Sequence, residues 1–247
     1  MSLRWISVFL DVPPNLLDVA TTFWTEVTGT RPGPPVGSNG EFVPLEQQPE
    51  QASLWLQRTQ DGSMSCHLDL YVEDVAAEVR RATGLGARQT GVLEELEVVV
   101  LASPGGLPFC LVEHRGQSAR MVPVGPEGAS SLLDQVCLDI PPSRYDAECG
   151  FWADLTGWPL TGSDAHEEFR RLTRPPEVPF AFLLQRLDDH ADQVTAHLDQ
   201  SCEDRDAASA RHTLLGATVV RRTERWTVMR DPVGLTYCNT AKRPGAV

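Results

Sequence analysis

The feature that most constrains the fold of this chain is an internal repeat. Seven short segments of the first half return in the second half, displaced by 128 to 130 residues (139 − 11 = 128 at the shared Asp; 197 − 67 = 130 at the shared His). The matched pairs are Val8–Pro14 with Val136–Pro142, Phe23–Trp24 with Phe151–Trp152, Thr28–Gly29 with Thr156–Gly157, Leu56–Arg58 with Leu184–Arg186, His67–Asp69 with His197–Asp199, Leu85–Ala87 with Leu215–Ala217, and Pro104–Cys110 with Pro232–Cys238. Small changes of offset followed by restored register indicate loop insertions, so one module is present twice.

The repeat also predicts the domain boundaries. A chain of 247 residues is long enough for two domains of ordinary size. We place the first domain at 1–115 and the second at 132–242, with a linker at 116–131 that is rich in Gly, Pro and Ser. A fainter repeat relates Ser7–Pro14 to His67–Asp74, so each domain is expected to hold two half-units.

Each half-unit is predicted to contain one strand, one helix and then three strands. Trp5 to Val12 is rich in apolar and aromatic residues, as in a buried strand. A helix follows, with Asn15 or, in the second copy, Ser143 as its predicted N-cap and Gly29 as its terminator. The other predicted elements of the first copy are strands at 41–45, 52–59, 67–72, 87–90, 97–102 and 109–113, a further strand between 30 and 38, and a helix at 75–83. The helices would cover one face of a curved mixed sheet and leave its concave face free.

Composition excludes several classes of function. The chain carries 34 acidic and 21 basic residues, for a net charge of −13. Such a surface repels nucleic-acid phosphates and anionic lipids, so neither partner is expected. The sequence shows no apolar run of spanning length and no signal peptide, which favours a cytoplasmic location. Its six cysteines form no CxxC pair and are expected to be free thiols.

Paired βαβββ units, with FW…TG in the first helix and a Pro-x-Gly turn before the last strand, resemble the vicinal-oxygen-chelate superfamily. This superfamily includes glyoxalase I, fosfomycin-resistance enzymes, bleomycin-binding proteins and extradiol dioxygenases. The resemblance covers nearly all of 1–115 and 130–242, and is closest to the glyoxalase-like tandem bacterial proteins. It implies an α+β fold of two tandem glyoxalase-like domains. The Asp that the family usually has before the turn proline is kept as Asp231 but is Ser103 in the first copy.

The resemblance also implies where a metal would bind. Metal-dependent members hold one divalent ion with a His on the first strand, a His on the fifth and a Glu on the eighth. The corresponding residues here are Ser7, His67 and Cys110 in the first copy, and Gln135, His197 and Cys238 in the second. Since each copy keeps one ligand of three, we predict no metal and no other cofactor. A zinc site built from His and Cys, or completed by a neighbouring chain, is the alternative.

Several of these residues also have a structural interpretation. Cys110 and Cys238 sit among apolar residues, where a thiol either packs in the core or contacts a ligand. His67 either faces the concavity or is satisfied by backbone groups. Trp55 and Trp226 lie on predicted strands, where they either stack on a ligand or pack in the core. The helical residues Trp24 and Trp152 are expected in the core.

Three functions are compatible with these features. The first is binding of a small organic molecule in a sheet concavity without reaction, as in the bleomycin-binding relatives. The second is a lyase-like or dioxygenase-like enzyme with non-standard metal ligands or metal-free chemistry, in which His67 acts as base or Cys110 as nucleophile. The third is a structural or dimerising role. The small Ser7 leaves room where Gln135 fills it, so the ligand is expected in the first copy. The two copies are expected to pair pseudo-symmetrically, in a monomer or a homodimer.

Overall fold

In the computed structural model, residues 3–48, 52–118, 120–162 and 166–245 are described, and they form sixteen strands and four α-helices. The first copy contains β1 (Trp5–Val12), α1 (Leu17–Thr28), β2 (Arg31–Pro32), β3 (Phe42–Glu46), β4 (Leu54–Arg58), β5 (Ser65–Val72), α2 (Val75–Gly84), β6 (Arg88–Leu93), β7 (Val98–Ala102) and β8 (Pro108–Glu113). The second contains β9 (Ser131–Ile140), α3 (Tyr145–Thr156), β10 (Leu160–Gly162), β11 (Phe169–Leu172), β12 (Ala181–Arg186), β13 (Thr195–Cys202), α4 (Arg205–Leu214), β14 (Thr218–Arg222), β15 (Trp226–Arg230) and β16 (Thr236–Thr240). The predicted βαβββ order is confirmed in all four half-units.

The strands form two eight-stranded sheets of identical topology. Their orders are β2-β3-β4-β1-β5-β8-β7-β6 and β10-β11-β12-β9-β13-β16-β15-β14. In the first sheet, β8 pairs in parallel with β5 and antiparallel with β7. In the second sheet, β16 pairs in the same way with β13 and β15. The predicted α+β fold with two tandem curved sheets is therefore confirmed.

Contacts divide the chain into two compact units, and each unit draws on both copies. One unit comprises 1–8, 67–118 and 137–196, and the other comprises 9–66, 119–136 and 197–247. In the first of these units, the Trp152 ring of α3 lies 5.4 Å from the Phe109 ring of β8. In the second, the Trp24 ring of α1 lies 5.3 Å from the Tyr237 ring of β16. In both units, a helix of one copy therefore packs on the last strand of the other.

Trp24 and Trp152 are 1% and 0% exposed, which confirms their predicted place in the core. All six cysteines are free, as expected. Among the described residues, no helix is long and apolar enough to cross a lipid bilayer.

The predicted helix ends are confirmed only in part. Gly29 and Gly157 end α1 and α3 with φ of 62° and 65°, in the left-handed region where glycine is favoured. The predicted N-caps Asn15 and Ser143 are wrong, because each lies in a short 3-10 turn that opens with a proline and leads directly into the helix. No side chain caps α1 or α3. Proline fixes the φ of this turn, and the turn sets the direction of the helix without a cap.

A carboxylate organises the turn before β16. Asp231 is 4% exposed, and its Oδ1 accepts hydrogen bonds from the backbone N–H groups of Val233, Gly234 and Leu235 at 3.0, 2.8 and 2.8 Å. Its Oδ2 accepts from Trp24 Nε1 at 3.0 Å. Burial raises the pKa of this carboxyl, and the four hydrogen bonds oppose that shift.

The matching turn before β8 obtains its carboxylate from a different element. Ser103 replaces the aspartate, and its Oγ still accepts from the backbone N–H of Leu107 at 3.1 Å. Glu148 of α3 supplies the carboxylate. Glu148 Oε2 accepts from the backbone N–H of Gly105 at 2.7 Å, and Oε1 accepts from Trp152 Nε1 at 2.9 Å. In the first copy, Ala20 occupies the position that corresponds to Glu148 (148 − 128 = 20). In each unit, therefore, one carboxylate accepts both from the backbone of this turn and from the indole N–H of a helical tryptophan.

The alternation of side chains along the strands defines the face on which the site lies. On β5, Leu68 and Leu70 are buried, and Leu68 is in register with Phe109, whose ring packs on α3. Successive residues of a strand point to opposite faces, so Asp69 and its register partner Cys110 lie on the face away from the helix. This is the predicted concave face.

Candidate functional site

Three side chains of types that can bind a metal ion or take part in catalysis lie together on this face in the first copy. His67 and Asp69 are two residues apart on β5, and Cys110 is paired with Asp69 on the adjacent parallel strand β8. One donor atom from each side chain, the His nitrogen, a carboxylate oxygen and the Cys sulfur, lies within 4.8 Å of the others. His67 Nε2 is 4.0 Å from Asp69 Oδ1, and the two side chains are 12% and 11% exposed. We call these three residues the His-Asp-Cys cluster.

Tyr71 extends the polar character of this face. It follows Asp69 by two residues on β5 and is 8% exposed. Burial raises the pKa of Tyr71, and the charges of Asp69 and Cys110 raise it further. The phenol therefore keeps its proton at any physiological pH. Ser7 itself is fully buried on β1, at the position where the family's first metal ligand was expected.

The corresponding residues of the second copy also lie close together. His197 Nε2 lies 3.3 Å from Asp199 Oδ1 and 3.6 Å from Cys238 Sγ. Gln135 occupies the position of Ser7, and its Nε2 donates to Asp199 Oδ2 at 2.6 Å. The longer side chain thus engages the carboxylate that belongs to the cluster.

The two aspartates are functional candidates that the sequence analysis missed. His67 and Cys110 were predicted to lie together, as were His197, Cys238 and Gln135, and the structure brings both sets together. Asp69 was treated only as part of the repeated His-Leu-Asp tripeptide. The sequence could have indicated both aspartates, because residues two positions apart on a strand point to the same face of the sheet.

The two tryptophans that were predicted to stack on a ligand or to pack in the core lie on β4 and β15. Trp55 is half-buried on β4, its ring lies 5.5 Å from that of Phe9 with an interplanar angle of 14°, and Phe42 meets Phe9 edge-on. Trp55 Nε1 donates to the backbone carbonyl of Ala52 at 3.2 Å, which fixes its ring. Trp226 is half-buried on β15, in register with Thr240. Whether either ring contacts a ligand stays a prediction.

The residues present can be compared with what a divalent ion requires. The usual two-His, one-carboxylate set is absent from the three family positions, which hold Ser7, His67 and Cys110. The cluster nevertheless offers nitrogen, oxygen and sulfur donors close together on two paired strands. Zinc accepts all three donor types, and three protein ligands leave a fourth position open. The first-copy cluster therefore fits a zinc-like ion, although not through the usual ligands.

The comparisons with known proteins agree with this architecture. The family described as a glyoxalase-like domain matches residues 7–112 and again residues 135–240. Searching the curated proteins gives no significant match.

Solved structures with the same fold are distant in sequence. The Mn(II)-bound glyoxalase from Novosphingobium aromaticivorans is 16% identical with a TM-score of 0.64, over 97% of this chain and 82% of that one. A mutant 4-hydroxymandelate synthase from Streptomyces coelicolor is 16% identical with a TM-score of 0.63, over 100% and 94%. The 2,2',3-trihydroxybiphenyl 1,2-dioxygenase from Sphingomonas wittichii is 13% identical with a TM-score of 0.60, over 97% and 90%. These likenesses show the same fold, and the two family matches show that the chain belongs to the glyoxalase-like domain family and carries two copies of its domain.

Proposed function

We propose that this protein binds a small organic molecule on the concave face of its first sheet, with the His-Asp-Cys cluster as the polar anchor. The observation that supports this is the gathering of His67, Asp69 and Cys110 on the strand face opposite the helix-packed core. Ionisable groups that converge on a concave surface are characteristic of ligand sites. A cytoplasmic location and the absence of nucleic-acid and membrane partners remain predictions from composition.

The chemistry of the cluster favours an oxygenated ligand. An imidazole and a phenol, from His67 and Tyr71, donate hydrogen bonds to hydroxyl or carbonyl oxygens, and the Asp69 carboxylate accepts from a hydroxyl. Two of the similar structures are named for reactions of hydroxylated aromatic compounds, which suggests molecules of this kind for a first screen. We expect the first copy to be the binding copy, because Gln135 already donates to Asp199 in the second.

Changing His67 to Ala is expected to weaken ligand binding about tenfold, since one hydrogen bond to a polar ligand group is worth about 1.4 kcal/mol. The measurement is a titration calorimetry series with the strongest binder from a screen that includes 2,2',3-trihydroxybiphenyl, 4-hydroxymandelate and bleomycin. The matched control is His197→Ala, which removes the equivalent side chain of the second copy and should leave the affinity unchanged. Equal affinities for wild type and H67A would contradict the assignment.

A metal-dependent enzyme with non-standard ligands is the second candidate, and the 4.8 Å grouping of three donor atoms favours it. His67, Asp69 and Cys110 would hold the ion, which would act there as a Lewis acid on a substrate oxygen. The chain's own Tyr71 would keep its proton and donate to the same substrate. Since Cys replaces the family's usual carboxylate, a borderline metal such as zinc is preferred over magnesium or manganese.

Metal content separates the two candidates. The protein, purified without chelators or a metal-affinity step, is analysed by mass spectrometry as isolated and after incubation with zinc, nickel, manganese and iron(II). If the binding-module proposal is correct, no metal is retained in stoichiometric amount. One zinc per chain that is lost in Cys110→Ser but kept in Cys238→Ser would instead establish the metal-dependent candidate at the first-copy cluster.

A further inference from the structure

The two copies differ in the layer of side chains between the second helix and the sheet. At six matched positions, the first copy has an apolar residue and the second has a polar or hydroxyl-bearing one. The pairs are Leu70 and Gln200, Val79 and Ser209, Ala82 and His212, Val99 and Thr227, Phe109 and Tyr237, and Leu111 and Asn239. We call the six second-copy residues the polar layer. All six are 1% exposed or less.

Strand register places three members of the polar layer in one row. Gln200 on β13 is paired with Asn239 on β16, and Asn239 is paired with Thr227 on β15. The same face carries Tyr237, and α4 packs over it with Ser209 and His212. Neutral hydrogen-bonding groups thus form a continuous strip below the helix.

Part of this strip is internally satisfied. Tyr237 Oη lies 2.9 Å from His212 Nδ1, and Asn239 Nδ2 donates to Ser209 Oγ at 3.1 Å and lies 3.4 Å from His212 Nδ1. An amide nitrogen only donates, so Nδ1 is the acceptor and the ring proton is on Nε2. Burial, with a contribution from Arg211, lowers the pKa of His212 to about 3. The imidazole is therefore neutral.

Four polar atoms of the layer have no hydrogen-bond partner among the described residues. They are Gln200 Oε1, His212 Nε2, Thr227 Oγ1 and Asn239 Oδ1, all inaccessible from the surface. Buried polar atoms in folded proteins are nearly always paired, and internal water supplies the partner where protein groups do not. We propose that the polar layer binds internal water, with at least one molecule bridging the row formed by Gln200, Asn239 and Thr227.

The spacing and chemistry of the row fit this ligand. In-register residues on neighbouring strands are separated by about 4.8 Å. Two hydrogen bonds of about 2.8 Å that meet at one water oxygen span about 4.6 Å between the outer oxygens. Such a water either donates to the amide oxygens of Gln200 and Asn239, or donates to Asn239 and accepts from the Thr227 hydroxyl. No member of the layer is charged, so a neutral ligand fits it and an ion does not.

Magnetic relaxation dispersion of water ¹⁷O counts long-lived internal water molecules and tests the proposal on the intact chain. The comparison variant carries the first-copy residues at all six positions (Q200L, S209V, H212A, T227V, Y237F and N239L), a combination that the first copy already accommodates. Wild type is expected to hold at least one more long-lived water than this variant. Equal counts, or no long-lived water in wild type, would overturn the proposal.

A crystal structure of the wild type gives a readout that does not depend on the variant folding. A water oxygen at hydrogen-bond distance from at least two of Gln200 Oε1, Asn239 Oδ1 and Thr227 Oγ1 supports the proposal. A row in which these atoms meet only protein atoms refutes it. The single variant Thr227→Val, which keeps the side-chain shape, should lose the bridging water or shift it away from β15.

Discussion

Replacing Asp231 with Ala is expected to lower the free energy of unfolding by about 3–5 kcal/mol, because four N–H donors lose the carboxylate that accepts from them and only one of the four, Gly234, keeps the Asp231 backbone carbonyl at 3.1 Å as an acceptor. Three of these donors are the backbone N–H groups of Val233, Gly234 and Leu235, and the fourth is Trp24 Nε1. The loss therefore disturbs both the turn before β16 and the docking of α1. Urea unfolding followed by tryptophan fluorescence measures the change.

The conservative variant Asp231→Asn separates the hydrogen bonds to the turn from the hydrogen bond to Trp24. Its side-chain oxygen can still accept from the turn, but its amide nitrogen cannot accept from Trp24 Nε1. We expect a loss smaller than that of Asp231→Ala. If the alanine variant unfolds at the same urea concentration as wild type, the assigned role of this carboxylate is wrong.

The contribution of Asp231 should also depend on pH. Burial raises the pKa of its carboxyl in the folded protein above the ordinary value of 3.8. A carboxyl whose pKa is raised on folding stabilises the protein most below its unfolded pKa, and this contribution declines as the pH rises through the folded pKa. The stability difference between wild type and D231A is therefore expected to be larger near pH 4 than near pH 7.

Replacing Glu148 with Ala is expected to cost about 2–4 kcal/mol, because the Gly105 N–H and Trp152 Nε1 lose their acceptor and a buried volume is left empty. Adding Ser103→Asp to this variant should recover at least half of the loss. The reason is that an aspartate at 103 would stand where Asp231 stands in the other unit, with Ala at 148 matching Ala20.

Urea unfolding of the single and double variants tests this exchange, with Ser103→Asp alone as the control. In the wild-type background, the added aspartate would face Glu148 and place two carboxyls at one position, so it should destabilise. A double variant no more stable than E148A would show that the two carboxylates are not equivalent.

How far the sequence predicts the site can be seen from the strands that carry it. The alternation of His67, Asp69 and Tyr71 with Leu68 and Leu70 is enough to place the polar side chains on one face of β5. It does not show which residue of another strand lies beside them. The family resemblance predicted Cys110 near His67, and the pairing of Asp69 with Cys110 across the parallel strands β5 and β8 was needed to add the carboxylate to the cluster.

The repeat by itself determined the modular plan, the order of strands and helices, and the matched positions of the two copies, because hydrophobic period and glycine placement are local properties. Only the tertiary structure decided that Glu148 replaces the missing turn aspartate, and that Gln135 reaches Asp199 where Ser7 is too short. These relations join residues 43 and 64 positions apart in the chain. Which side chains meet over such separations is set by strand register and helix docking, and no local pattern encodes either.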